Sequence, residues 1–433
     1  MDAKPGAPVH EPLLAAARPG KDAAAAADDD GARQGLAAAE VKRLVRLGGP
    51  IIASCILQNV VNMVSVMVVG HLGELPLAGA SLATSLANVT GYSLLCHIRF
   101  LQSQSIVLPV TASSGTTALC HPLVCWLLVY KAGLGSKGAA LSNAVSYGIN
   151  LVILALYVRL SSTCKNTWSG FSREAFRELR QFTALAMPSA MMICLEWWSF
   201  EILVLLSGLL PNPQLETSVL SICLNTGALL YMVPLGLSSS ISTRVSNELG
   251  AGHPEAAKLA TRVVMYMALS VGLVLALTMV LLRNVWGYLY SNEQEIVTYI
   301  SRMLPILGIS YLIDGLHSSL SGVLTGSGKQ NIGAAVNLGA FYLLGIPLAA
   351  MLAFVFHLNG MGLWLGIVSG SFTKLVLLTF IAWCIDWEKE SSLKHEISRQ
   401  RHDPDILAVV CLVGFILACV TYFFTVFSNA EAL

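Results

Sequence analysis

The sequence predicts an all-α polytopic membrane protein: two pseudo-symmetric helix-bundle lobes, the first shortened to about four helices. Three observations predict it. Only 12% of the 433 residues are charged and 55% are apolar, with a mean hydropathy of +0.68. A soluble domain carries about 25% charged residues, so this chain has too little polar surface to cover a water-soluble globule. Second, the apolar stretches reach the roughly 20 residues that a bilayer core demands. They are continuous rather than alternating, which selects helices over a β-barrel, the other structure that satisfies every backbone group in lipid. Third, a partial internal repeat divides the chain in two.

Residues 1–40 read as a disordered cytoplasmic tail, rich in Ala, Asp, Gly and Pro, with the run Asp28–Asp30. The tail has no signal-peptide shape. Eleven spans are expected, at 45–70, 77–98, 106–130, 138–158, 181–210, 215–243, 257–282, 296–324, 332–356, 361–384 and 405–428. Lys42, Arg43 and Arg46 precede the first span, so the positive-inside rule puts the N-terminus in the cytoplasm. Alternation then puts two more basic segments on that side. The linker at 161–180 holds Lys165, Arg173, Arg177 and Arg180, and the segment at 386–404 holds Lys389, Lys394, Arg399 and Arg401. Residues 41–160 form the truncated first lobe, 181–385 a six-helix second lobe, and 405–433 an extra C-terminal helix that ends outside.

Composition also excludes classes. A net charge of +1 gives no argument for nucleic acid. The ten cysteines contain no C-x-x-C pair, and most sit in apolar stretches (Cys55, Cys120, Cys125, Cys194, Cys223, Cys411, Cys419). They read as small packing residues rather than a disulfide framework or zinc site.

The repeat begins with Pro50, then Gln58 and Gly70, matched by Pro188, then Glu196 and Gly208, an offset of 138 residues. Later, "LGSKGAAL" at 134–141 matches "LNGMGLWL" at 358–365, an offset of 224. The offsets differ by about 87 residues, so the first half lacks a block that the second retains. The junction falls between Leu95 and Ile98.

At this point the motifs name a family. "STRVSNELGAG" at 242–252, "CLEWWSFE" at 194–201, "SGLLPNP" at 207–213 and "LTGSGKQNIGAAVN" at 324–337 resemble plant multidrug and toxic compound extrusion (MATE) transporters. The resemblance covers about residues 40–390 and implies a MATE-like fold of two six-helix lobes. It also implies export of organic compounds in exchange for H⁺ or Na⁺. After "ANVTGYSLL" at 87–95, family members continue into a third helix and most of a fourth. Here Cys96-His97-Ile98-Arg99-Phe100 follows at once.

Glu196 lies in mid-span. Intramembrane acids are costly, face a cavity or partner, and mark ion pathways. A carboxylate that takes a proton on one side and releases it on the other is the physical need of an antiporter. Asp314, in "YLIDGLHSS", is a second such acid, and the resemblance implies that both belong to the cation-coupling and substrate site. Glu201 sits about 140° further round the helix from Glu196 and is a further candidate. Asn225, Tyr231 and Trp197 are candidate cavity-lining groups, since aromatic faces suit flat or cationic organic molecules. In the first lobe the corresponding polar positions are Gln58 and Asn62. An amide carries no proton, so coupling is expected in the second half. His317 reads as a satisfied polar residue. Arg244, Asn247 and Glu248 end a span, and the resemblance implies a cytoplasmic gate there. Gly250 and Gly252 can stop that helix and Pro254 can begin the next.

"GSGK" at 326–329 is no phosphate loop, because Val323 and Gln330 stand where the pattern needs Gly and Ser/Thr. No cofactor and no enzyme chemistry are expected. The expected partners are small organic substrates, H⁺ rather than Na⁺, and the lipid bilayer, with the chain acting as a monomer in a plant vacuolar or plasma membrane. The alternative is a non-transporting shortened product of a MATE transporter.

Overall fold

A computed structural model describes residues 25–70, 96–165, 179–290 and 293–400. Its helices, in chain order, are α1 (Ala25–Gly70), α2 (Cys96–Ser103), α3 (Leu108–Lys131), α4 (Gly135–Leu160), α5 (Leu179–Ser207) and α6 (Pro213–Gly250). They continue as α7 (Pro254–Trp286), α8 (Gln294–Ser327), α9 (Gln330–Val355), α10 (Asn359–Trp383) and α11 (Trp387–Gln400). Among the described residues there is no strand, and nine helices are long and apolar enough to cross a membrane. The chain is an integral membrane protein. Nine of the eleven expected spans fall on these helices. The other two, at 77–98 (but for its last residues) and 405–428, lie outside the described residues, as does most of the 161–180 linker.

The helix ends follow local chemistry. Pro213 and Pro254 occupy the first helical positions of α6 and α7, where a missing N–H costs nothing. Gly252 (φ 82°) turns the chain between them, and Gly328 (φ 79°) closes α8. Both sit in the left-handed region that glycine enters without penalty.

In the second half, α6 and α8 form the central pair, flanked by α7 and α10. Val219, Met303, Leu307, Tyr311 and Trp364 are buried between them. The approach is close: a Cβ on Gly322 would sit 2.3 Å from the Ser238 carbonyl oxygen. In the first half, α1, α3 and α4 pack together, and Leu101 of α2, Val110 of α3 and Leu154 of α4 share a buried cluster. The lobes meet where α1 runs along α6. Leu44 packs on Leu237, Ile241 and Val245, and a Cβ on Gly236 would lie 2.3 Å from Ile52 Cγ1. Along Leu47–Ile51, α1 also touches the start of α3: Thr111 donates to the Pro50 carbonyl, and Leu47 and Ile51 cluster with Val107, the residue just before that helix. Large apolar side chains such as Leu119, Leu281 and Phe380 cover the outside, as lipid contact requires.

Two segments differ from the sequence reading. Helix α1 begins at Ala25, so residues 25–40, assigned to a disordered tail, are helical. The helix former Ala dominates there, and buried Glu40 gains a charged partner on α6, described below. Residues 387–400, expected only as a cytoplasmic segment, form the amphipathic helix α11. Of the described cysteines, Cys125, Cys194 and Cys223 are buried and free as expected, whereas Cys120 is exposed on α3.

Candidate functional site

Glu196 and Asp314 sit on α5 and α8, and His317 stands between them. Its Nε2 lies 2.9 Å from Asp314 Oδ1 and 3.9 Å from Glu196 Oε1. The Ser310 hydroxyl donates to Asp314 Oδ2 at 3.4 Å. A fourth polar group completes the cluster: Lys374 on α10 donates to Glu196 Oε2 at 2.7 Å. The ammonium also lies 5.7 Å from the centroid of the Phe341 ring. Phe341 is carried on the π-helical stretch Leu338–Gly345 of α9, a wide turn of the kind that recurs at functional sites. A buried charge is tolerated only when paired and hydrogen-bonded, and here each finds a partner on another helix or one turn along. The Nδ1 atom of His317 is the exception, buried and without a partner.

Beside this cluster, Tyr231 on α6 meets Trp197 edge-on, with ring centroids 6.1 Å apart. Trp197 is 43% exposed, and Asn225 is also exposed. Glu201 does not join the cluster. It is exposed on α5, because five helical residues turn it well away from the α8 and α10 contacts of Glu196.

Gln58 and Asn62 make separate, uncharged contacts inside the first lobe. Gln58 Nε2 donates to Ser54 Oγ (3.1 Å) and Ser114 Oγ (3.3 Å). The Tyr147 hydroxyl donates to Asn62 Oδ1 at 3.2 Å. Deeper lies a histidine that the sequence did not single out. His121 contacts Ser65 Oγ (2.9 Å) and Ser146 Oγ (2.8 Å) through its two ring nitrogens. Ser65 in turn donates to Asn143 Oδ1 at 2.8 Å. Its single proton thus spent, Ser65 accepts from His121 Nε2–H.

Arg244, Asn247 and Glu248 gather where α6 meets the first lobe. The Arg244 guanidinium forks onto Glu40 of α1, Nε to Oε1 at 2.7 Å and Nη2 to Oε2 at 3.1 Å. It also pairs with Glu248, which His253 approaches at 3.2 Å. Bidentate arginine–carboxylate pairs are among the stronger charged contacts, and this one ties the two lobes together. Asn247 Nδ2 donates to the Ser103 carbonyl at 3.4 Å. Next to it lies a polar cavity of about 230 Å³ lined by Gln102, Ser239, Ser242, Thr243 and Thr325.

The family model described as MatE matches residues 50–98 and 188–351, stretches of 49 and 164 residues. The chain is 43% identical to Protein DETOXIFICATION 16 of Arabidopsis thaliana over 435 aligned positions, covering 81% of this chain and 90% of that protein. It is 40% identical to Protein DETOXIFICATION 17 of the same organism, with 81% and 91% covered. Since 81% of 433 residues is about 351, roughly 84 of the 435 aligned positions have no residue in this chain. That number agrees with the block of about 87 that the repeat offsets imply, and the first MatE match stops at the junction. Among solved structures, the fold resembles the crystal structure of the eukaryotic MATE transporter AtDTX14, at 37% identity and TM-score 0.78, covering 84% of this chain and all of that one. A MOP superfamily transporter from Pyrococcus furiosus, 14% identical, shares the fold with TM-score 0.67 over 82% of this chain and 97% of that one.

Proposed function

The chain belongs to the MatE family of efflux transporters, and from that premise we propose that it is a secondary antiporter exporting organic metabolites or xenobiotics in exchange for H⁺. The observation that carries this reading is the pair of intramembrane carboxylates, Glu196 and Asp314, on separate helices and bridged by His317. Two acids that face the same imidazole nitrogen, one at hydrogen-bond distance and one just beyond it, can hold a proton between them and surrender it to an arriving cation. Trp197, Tyr231 and Asn225 flank the pair as the substrate wall. Gln58 and Asn62 act in the first lobe as uncharged binding groups, and Glu201 takes no part. Arg244, Glu248 and Asn247, with Glu40, form the cytoplasmic gate. The transporter works as a monomer in a vacuolar or plasma membrane.

Efflux of a fluorescent organic cation from proteoliposomes under an imposed pH gradient tests the reading. Wild type exports the dye, and Glu196→Gln lowers gradient-driven efflux at least tenfold. Full gradient-driven efflux by the variant removes Glu196 from coupling. The roughly 84 absent positions favour a second reading, a shortened product that does not transport. It predicts no efflux from well-incorporated wild-type protein while a full-length relative is active alongside.

A further inference from the structure

Lys374 is 1% exposed, in the middle of an apolar helix, and the charged group it meets is Glu196. An ammonium at that depth persists only with a counter-charge. The pairing fixes the charge of the site. Two carboxylates and one ammonium leave a single uncompensated negative charge, because His317 is neutral when one of its nitrogens carries the proton. One proton or one monovalent organic cation cancels that charge. A dication overshoots it.

The exposures place the ligand. The Glu196 side chain is 15% exposed, against 7% for Asp314 and 1% for His317 and Lys374. Glu196 is therefore the open edge of the cluster, next to half-exposed Trp197. Lys374 lies behind it, sandwiched against the Phe341 ring. A cation arriving at Glu196 meets a carboxylate whose other side is already occupied by a tethered ammonium.

We propose that Lys374 is a specificity-determining residue: its ammonium sets the net charge of the site to −1 and so selects monovalent over divalent organic cations. The inference rests on the reading that Glu196 and Asp314 receive the exchanged cation. It makes a demand that reading does not, that affinity for dyes of different charge follows the charge count rather than the identity of the residues.

Ethidium, with one positive charge, and propidium, with two on the same ring system, probe this. Their equilibrium binding to the purified full-length chain is measured at one fixed pH, so that the variants differ only in the residues replaced. Wild type (−1) binds ethidium in preference. Lys374→Gln (−2) shifts the ethidium-to-propidium affinity ratio at least tenfold toward propidium. Glu196→Gln (0) loses both dyes. The double variant Glu196→Gln/Lys374→Gln (−1) regains ethidium, and Lys374→Arg keeps the wild-type ratio. Should Lys374→Gln fail to fold, the comparison of Glu196→Gln with the double variant carries the test. An unchanged ratio in folded Lys374→Gln, or a double variant that binds no better than Glu196→Gln, overturns the proposal. Loss of gradient-driven efflux in Glu196→Gln alongside either result overturns the proposal alone. Failure of wild type to bind either dye overturns it together with the functional reading.

Discussion

Single residues differ sharply in how much they betray of themselves. Glu196 and Asp314 were visible in the sequence because an acid inside an apolar run is conspicuous by cost alone. Lys374 was not, since its partner lies 178 residues away and a lone lysine in a span also reads as a side chain reaching for the interface. Glu40 was hidden for the same reason, 204 residues from Arg244 and inside a segment whose composition reads as tail. Glycines follow a similar logic. A Cβ on Gly366 would lie 2.2 Å from the Cα of Ala349, backbone that has no room to yield. Gly366→Val is expected to destabilise by about 1–3 kcal/mol, read as a lowered melting temperature in detergent. Gly315 faces only Pro234 Cγ at 3.8 Å and the Ala268 carbonyl at 3.9 Å. Gly315→Ala should therefore stabilise by about 0.5–1 kcal/mol, and equal losses for the two variants would refute the packing argument.

At the scale of elements, the spans were legible because length and continuous hydropathy are enough to define them. Helix α11 was not, because its polar face and low hydropathy resemble a loop until its docking partners are known. Those partners are helix ends. Lys394 donates to the Gly326 carbonyl at the end of α8, and His395 Nδ1 donates to the Gly250 carbonyl at the end of α6. Both supply donors that the last turns of a helix lack. Lys329 and Glu390 add an ion pair at 2.7 Å. Burial pushes the Lys394 ammonium down from its ordinary 10.5 to about 8, against the pull of Glu390. Between those values the unfolded chain holds a proton that the folded chain has released. Unfolding then takes up a proton, and the contribution of this site to stability rises with pH. The melting temperature of wild type relative to Lys394→Met should accordingly increase from pH 8 to pH 10. A flat or falling difference would mean that Lys394 titrates as it does in water.

For the whole molecule, the repeat already carried the arithmetic of two unequal lobes, and the alignments return nearly the same deficit. What it did not carry was how the lobes touch, because contact between α1 and α6 depends on pairs such as Gly48 and Ser240 that no local pattern marks. A Cβ on Gly48 would lie 3.6 Å from that of Ser240, within the range that a disulfide spans. The pair Gly48→Cys/Ser240→Cys should oxidise readily and hold this end shut. If transport requires it to open, oxidised protein loses flux and a reductant restores it, whereas either single cysteine variant is indifferent to both. Undiminished flux in the cross-linked protein would mean that the lobes move without parting here.

The hydrogen-bonded interior of the first lobe has a last consequence. Ser54, Gln58, Asn62, Ser65, Ser114, His121, Asn143 and Tyr147 form it without an acidic or ammonium group among them. Moving one elementary charge through the membrane potential is worth about 2.3 kcal/mol per 100 mV, and this interior offers the field nothing to act on. Among the described interior groups, voltage therefore exerts its force on the Glu196, Asp314 and Lys374 cluster of the second lobe rather than on this uncharged set.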